Sequence, residues 1–323
     1  MDNTQYAKQL CLERDYHKCR HCGSTNELDV RRLIERDGAL GWHLSNLISL
    51  CNNCASESEE ARLNYKHNRI GVILCGGRGT RLYPLTKYQN KHTLPIGLVP
   101  MIFYPLKTLR KFGIRRVLIV VDREGTNATM EMLGSGKEFG LDISYKVQEG
   151  AGGISEALYL AKDFAQPRDE IVCILGDNIF EDGDVDFNIN LGDDKACIYV
   201  KEVSNPQDYG VATTLGGKVV RIIEKPKQPE SNLAVVGLYL YTYDVFDIIE
   251  TIRPSDRGEL EISAVNDYYA SQNKLQFKMV NGYWGDAGGS IRRYAECNMH
   301  GVKKANVSAK EIEEFKNIVF DEK

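Results

Sequence analysis

From Ile70 onward, apolar runs end in Gly or Asp and alternate with amphipathic segments. IGVILCGG is followed by a helical pattern around MIFYPLKTLRKFG, then RRVLIVVD, a further helix, and EIVCILGDN. Continuous apolar runs separated by helical periodicity predict parallel strands joined by helices, hence a doubly wound, mixed and mainly parallel α/β sheet of Rossmann-like type. LAVVGLYLYTYDVF and KLQFKMVNGYWGDAGG predict further flanking strands, some antiparallel. The first 60 or so residues have a different texture. A short helical stretch precedes C-R-H-C and C-N-N-C, and the polar SESEEARLNYKHN reads as a helical linker. The expected division is a module at 1-64 and a larger domain at 65-323, the latter closing on a C-terminal helix.

The two C-x-x-C pairs change the picture of the small module. Of nine cysteines, Cys11, Cys19, Cys22, Cys51 and Cys54 lie near the N-terminus. Each C-x-x-C turn offers two thiolates to one tetrahedral ion, so Cys19, Cys22, Cys51 and Cys54 predict a structural Zn²⁺ site. Without the metal, so short a segment has few large apolar groups with which to hold a core. His17, His21 and His43 are weaker ligand candidates. No apolar run approaches the ~18 residues of a membrane span, and the N-terminus lacks the apolar stretch of a secretory signal. The reading is a cytoplasmic protein that does not cross a membrane. A net charge of -4 gives no bulk support for nucleic-acid binding.

Three glycines in Gly76-Gly77-Arg78-Gly79-Thr80-Arg81 directly follow an apolar strand, where several backbone N–H groups can approach a phosphate. The loop has neither the G-x-x-x-x-G-K-[ST] spacing nor the third glycine and ribose-binding acid of the dinucleotide fingerprint. Its continuation places Arg81 and Lys91 around prolines, and two cations beside a glycine cradle suit a triphosphate. Asp177 ends an apolar strand at the carboxyl edge of the expected sheet, and Asp286 is flanked by small residues. Together they suit Mg²⁺, which takes a couple of carboxylates plus water and substrate phosphates. Each Asp read alone is equally a turn or cap residue. The Gln148 amide donates and accepts at once and so matches the edge of thymine or uracil.

G-G-x-G-T-R-L-x-P-x-T followed by N-K-x-x-L-P resembles the signature of sugar-nucleotide pyrophosphorylases. With L-G-S-G-K-E-F-G (133-140), L-G-D-N-I-F (175-180), N-P-Q-D-Y-G-V-A (205-212), I-E-K-P-K-x-P (223-229), V-V-G-L-Y-L-Y (235-241) and R-G-E-L-E-I (257-262), the chain from about 69 to 300 is similar to the short-form glucose-1-phosphate thymidylyltransferases. The resemblance implies dTTP and glucose 1-phosphate as substrates, dTDP-glucose and pyrophosphate as products, Mg²⁺ as cofactor and a homo-oligomer. It implies that Gly76, Gly77, Gly79 and Thr80 bind nucleotide and that Gly153 lets the base lie on the backbone. Arg81 would neutralise the leaving pyrophosphate, and Lys91 would contact the α-phosphate. Tyr209, Gly210, Glu224, Lys225, Gly237, Arg257 and Glu259 would hold the sugar phosphate, with Lys225 and Arg257 as cations and Glu224 as hydroxyl acceptor. Glu259 and Glu261 are alternatively helix N-terminal acids. Three positions depart from the pattern: Gly289 stands where a threonine is usual, Ser263-Ala264 where Thr-Asp is, and Cys75 where alanine is.

C-L-E-R-D-Y-H-K-C-R-H-C-G, then E-L-D-V-R-R and L-S-N-L-I-S-L-C-N-N-C, resembles a zinc-containing HNH nuclease module. Arg31-Arg32 replace its catalytic histidines, Ala55 replaces a ligand histidine, and only Asn46 of the centre remains. Without an imidazole to activate water, hydrolysis is not expected. Acids also outnumber bases in residues 1-64, leaving Arg31-Arg32 as the one local nucleic-acid contact and docking or oligomerisation as the preferred role. Two other functions fit the same residues. One is a uridylyl- or cytidylyltransferase on a related sugar 1-phosphate, and the other is a nucleotide-sensing nucleic-acid-binding protein acting through the zinc module.

Overall fold

The computed structural model describes residues 3–15, 17, 19, 25–32, 47–52, 69–77, 79–181, 185–186 and 189–305. The chain divides into two units, residues 1–68 with 166–168, and residues 69–165 with 169–323. In the first, α1 (Asn3–Arg14) is the helix expected at the N-terminus. Strands β1 (Leu28–Arg32) and β2 (Leu47–Cys51) pair antiparallel, with Leu28 opposite Cys51 and Arg32 opposite Leu47. Cys11, Val30 and Leu47 form their small apolar cluster. The buried Asp15 carboxylate accepts the Ser49 N–H at 3.0 Å, which ties the end of α1 to β2. Cys19 and Cys51 are both buried, whereas Cys22 and Cys54 lie outside the described residues, as do His21, His43 and Asn46.

The second unit begins with β3 (Arg69–Cys75), followed by the two-residue strands β4 (Pro95–Ile96) and β5 (Val99–Pro100), α2 (Phe103–Lys111), β6 (Arg116–Asp122), α3 (Thr126–Leu133) and β7 (Asp142–Gln148). Next come α4 (Ile154–Tyr159), β8 (Glu170–Leu175), β9 (Asn178–Phe180), β10 (Ala196–Glu202), β11 (Gly210–Leu215), β12 (Lys218–Glu224) and β13 (Leu233–Tyr241). The unit closes with α5 (Val245–Ile249), α6 (Ile262–Ser271), β14 (Leu275–Met279), β15 (Trp284–Asp286) and α7 (Ile291–Lys304). The central sheet runs β12-β11-β13-β8-β3-β6-β7, with β10 pairing β13 and β14. Strands β8, β3, β6 and β7 are parallel neighbours, as the alternating pattern implies. Beyond β8 the order turns antiparallel through β13, β11 and β12, while β14 lies parallel to β10.

Successive side chains of a strand point to opposite faces, and β3 feeds two separate cores. Ile70, Val72 and Leu74 pack with α4, α5 and α6, whereas Ile73 and Cys75 pack with α2 and α3. Both faces of β3, β6 and β8 are therefore covered, which is why their sequences are apolar almost throughout, whereas the edge strand β7 alternates. A third cluster of Leu82, Leu94, Ile96, Met101, Ile179, Ala287 and Cys297 anchors the loop after β3 to β9, β15 and α7. Strands β9 and β15 form their own antiparallel pair, with Asp286 opposite Asn178. That small pair sets the position of both candidate metal-binding acids. Among the described residues no helix is long and apolar enough to cross a membrane.

Candidate functional site

The carboxyl ends of β3, β7 and β8 carry the nucleotide-side candidates. After β3 the chain passes through Gly76, Gly77 and Gly79; φ is 97° at Gly77 and 61° at Gly79, values that a side chain would strain. A short 3₁₀ turn, Thr80–Leu82, follows, in which Leu82 is buried and Thr80 and Arg81 face solvent. The Thr86 hydroxyl donates to the Gly79 carbonyl at 2.8 Å and closes the loop. At the end of β7 the buried Gln148 donates from Nε2 to Glu156 Oε2 at 2.6 Å and to the Gly153 carbonyl at 3.3 Å. Because a carboxylate only accepts, Glu156 fixes the amide orientation and leaves Oε1 towards Gly76. A Cβ on Gly76 would lie 2.7 Å from that oxygen, so the glycine loop and the Gln148 amide are immediate neighbours.

Asp177 and Asp286 meet where β9 and β15 pair. The Ala287 N–H donates to the Asp177 carbonyl at 2.9 Å. A Cβ on Gly288 would collide with Asp177 Oδ2, so only glycine leaves this space beside the carboxylate. Lys91 Nζ donates to Asp177 Oδ2 at 2.5 Å, and both side chains are largely buried. Burial opposes charge on Asp177, but the Lys91 charge and hydrogen bond overcome it and hold the carboxyl below its ordinary range. Burial likewise disfavours the Lys91 ammonium; the charges of Asp177 and Asp286 outweigh it and raise its pKa. For Asp286, burial and the Asp177 charge win and raise the pKa despite Arg293 Nη1 at 3.1 Å. His92, which follows Lys91, is buried and held neutral, its pKa pushed by burial and by Lys91 down to about 3.

The sugar-side candidates lie on β11, β12 and β13. Gly210 is paired opposite Glu224, and the Lys225 N–H donates to the Tyr209 carbonyl at 2.9 Å. Lys225 adopts φ 43°, an unusual value for a non-glycine residue, with Nζ 3.5 Å from Glu224 Oε1. Glu224 Oε2 accepts the Ser263 hydroxyl at 2.6 Å. Gly237 on β13 donates its N–H at 3.0 Å to Asn178 Oδ1, which also accepts Trp284 Nε1 at 2.6 Å. Asn178 Nδ2 donates to Asp177 Oδ1 at 3.1 Å. One amide thus links the acid pair to the sugar-side strand. The two halves are joined again on the other side, where the Leu260 N–H donates to the Gly152 carbonyl at 2.7 Å and the Ser155 N–H to the Leu260 carbonyl at 3.1 Å.

A glycine loop beside a buried amide, a Lys-Asp-Asp centre and a polar strand edge fit one protein family. Residues 70–303 match the nucleotidyl transferase family. The chain belongs to that family. The low-salt glycan biosynthesis nucleotidyltransferase Agl11 of Haloferax volcanii is 38% identical over 222 residues, 68% of this chain and 62% of that protein. A glucose-1-phosphate thymidylyltransferase of Xanthomonas campestris pv. campestris is 39% identical over 226 residues, 68% of this chain and 76% of its own. Among solved structures, one described as a glucose-1-phosphate thymidylyltransferase from Bacillus anthracis, in complex with sucrose, superposes with a TM-score of 0.66. It is 38% identical and covers 72% of this chain and 95% of that one. The chain is accordingly a nucleotidyltransferase homologous to glucose-1-phosphate thymidylyltransferases.

Within this nucleotidyltransferase the sequence-derived residues are not equally placed. Lys91, Asp177 and Asp286 converge, and so do Tyr209, Gly210, Glu224 and Lys225. Arg257 lies beside Glu224 on the sugar side, within a group of acids. Its guanidinium lies 2.8 Å from Glu261, 3.4 Å from Glu224 and 3.6 Å from Glu259. Glu261 occupies the N-cap position of α6 but makes no cap hydrogen bond, and accepts instead from the Ser255 hydroxyl and Arg257. Among the described residues no group of three or more His, Cys, Asp or Glu side chains is arranged to hold a metal. Asp177 and Asp286 are only two such ligands, a donor set that suits Mg²⁺ with substrate phosphates supplying the remainder. Sequence reading missed Asn178, Glu156, Trp284 and Arg293 as organisers. Asn178 was visible beside Asp177 in L-G-D-N, but its three partners come from β13, β15 and the neighbouring acid, and no spacing along the chain encodes that meeting.

Proposed function

We propose that the chain transfers a deoxythymidylyl group from dTTP to glucose 1-phosphate, giving dTDP-glucose and pyrophosphate. The observation that carries this reading is the Lys91-Asp177-Asp286 centre, linked through Asn178 to Gly237, at the same sheet edge as the neighbouring Gly76 and Gln148. A phosphate oxygen of the sugar attacks the α-phosphorus, the α–β bridging bond breaks, and its electron pair leaves on pyrophosphate. Both reacting groups are anions, so positioning and charge neutralisation dominate and no strong general base is needed. Lys91 Nζ would meet the α-phosphate, Arg81 the departing pyrophosphate, Lys225 the sugar phosphate, and Glu224 the sugar hydroxyls. Asp177 and Asp286 would hold Mg²⁺, which supplies additional neutralisation of phosphate charge when bound. Gln148 supports thymine and uracil alike. A panel of five nucleoside triphosphates against several sugar 1-phosphates, read by pyrophosphate release, tests the assignment. The expected result is a preference for dTTP with glucose 1-phosphate. Preference for UTP or CTP would favour the alternative transferases, and no release with any pair would favour a sensor.

For the N-terminal unit the reading is a zinc-stabilised docking or oligomerisation module, carried by the C-x-x-C pairs and by the burial of Cys19 and Cys51. Protein purified without chelator is expected to contain about one Zn per chain, and a Cys19→Ser variant to lose it. Absence of zinc, or full retention in the variant, overturns this. All proposed reacting groups lie beyond Arg69. A variant lacking residues 1–64 is therefore expected to keep most of its turnover, and a folded truncation without turnover would show that the module completes the site.

A further inference from the structure

Arg293, in the first turn of α7, bridges two elements that the reaction needs to hold together. Its backbone N–H donates to the Ser290 hydroxyl, the helix N-cap, at 3.2 Å. From there the guanidinium places Nη1 3.1 Å from Asp286 Oδ2 and Nη2 2.6 Å from Asp208 Oδ2. Its central carbon lies 4.8 Å from the Tyr209 ring centroid, and Tyr209 in turn packs edge-on against Trp284 at 5.2 Å. The side chain is mostly enclosed, with 22% of its surface accessible. Space for it depends on Gly289, because a Cβ there would lie 2.6 Å from Nη1 and 2.9 Å from Cδ of Arg293 and would collide with Asp286 Oδ2.

Resting on the transferase reading above, we infer that Arg293 is a positioning residue that locks the sugar-side Tyr209 to the Asp286 strand, and that Gly289 is the vacancy that admits it. A planar guanidinium can serve two carboxylates in a fixed fork and lie over an aromatic face at once. A lysine ammonium offers a single point of charge and cannot span Asp286, Asp208 and the ring together. Both arms of the Arg293 fork are taken up by Asp286 and Asp208, so it orients the pocket. Loss of the bridge frees Tyr209 and Asp208 on one side and Asp286 on the other. Small misplacements of this kind are costly because the rate depends on the alignment of the two phosphates.

The test uses the full chain with dTTP and glucose 1-phosphate, separating KM for each substrate from kcat. R293M is expected to raise KM for glucose 1-phosphate roughly 10-fold and to lower kcat roughly 10-fold, with KM for dTTP changed less than about two-fold. R293K is expected to stay close to R293M. D208N keeps the Arg293-Asp286 pair and is expected to raise KM for the sugar phosphate while changing kcat little. G289A is expected to resemble R293M, and the R293M/G289A double variant to be no worse than about two-fold below R293M, since both remove the same bridge. R292M removes an exposed charge one residue away and is the control, expected to match wild type. Glucose 1-phosphate binding read by Trp284 fluorescence should weaken in step with KM. Should R293M fail to fold, D208N and G289A carry the same test. Wild-type constants in R293K, equal changes in both KM values, or multiplying losses in the double variant each overturn the inference. A wild-type protein inactive with every sugar phosphate would instead sink the function on which it rests.

Discussion

Replacing Asp286 with asparagine is expected to lower kcat by roughly 10²–10³, the usual consequence of removing one strong electrostatic stabiliser of a phosphoryl-type transition state. Asn preserves the size of the side chain and its contact with Arg293, and Arg293 keeps its second partner Asp208. The melting temperature should therefore move little. Asp177→Asn should lower kcat by a similar factor, with a larger stability change because Lys91 loses its direct counter-charge. If either acid served only as a turn or cap residue, Asn could take its place and turnover would stay near wild type. Titrating kcat against Mg²⁺ for both variants separates these outcomes. A requirement for more Mg²⁺ together with a lower plateau supports a shared metal role, whereas near-normal turnover at limiting Mg²⁺ removes that residue from the centre.

Lys91→Met should be the most damaging single change, because it strikes stability and chemistry together. Methionine fills much of the lysine stem, so the packing loss is small and the electrostatic loss dominates. Asp177 would then sit enclosed with its Asn178 hydrogen bond but without the ammonium that now offsets its desolvation. Breaking one side of a buried pair in this way costs about 3 kcal/mol. In a unit of this size that corresponds to a melting temperature lower by roughly 6–12 °C. The Lys91→Met/Asp177→Asn double variant removes both charges and should recover part of the lost stability, although not the activity. Thermal unfolding of the two single variants and the double variant measures the coupling. Additive losses would show that the 2.5 Å contact between Lys91 and Asp177 carries no special stabilisation.

Asp177 was legible because a strand end is a local property. In an open α/β sheet the carboxyl ends of parallel strands face the ligand crevice. The apolar run EIVCIL therefore delivers Asp177 to that edge whatever the rest of the chain does, whereas Gln148 reaches it on β7, a half-exposed strand that only the structure revealed. The glycines at 76, 77 and 79 and the strand-helix alternation are similarly local, since they depend on backbone freedom and on periods of a few residues. Arg257 shows the limit of this reasoning. Its pairing with Glu261 four residues on is readable along the chain, but only the packing of β12 against α6 brings Glu224 beside it.

Legible in residue order were the class of fold, the glycine loop after β3 and the strand end that carries Asp177. Each of these is written in residue types at short spacing. The tertiary structure alone decided how the acids are charged, because burial and the approach of Lys91 and Arg293 act through distances that join residues far apart in the chain. It also decided that Asn178 links Asp177 to Gly237 and Trp284, and that Gly289 opens space for Arg293 to reach Asp286, Asp208 and Tyr209 together. A hydrogen bond or ion pair depends on ångström-scale placement in three dimensions, which residue order constrains only after strands have paired and helices have packed.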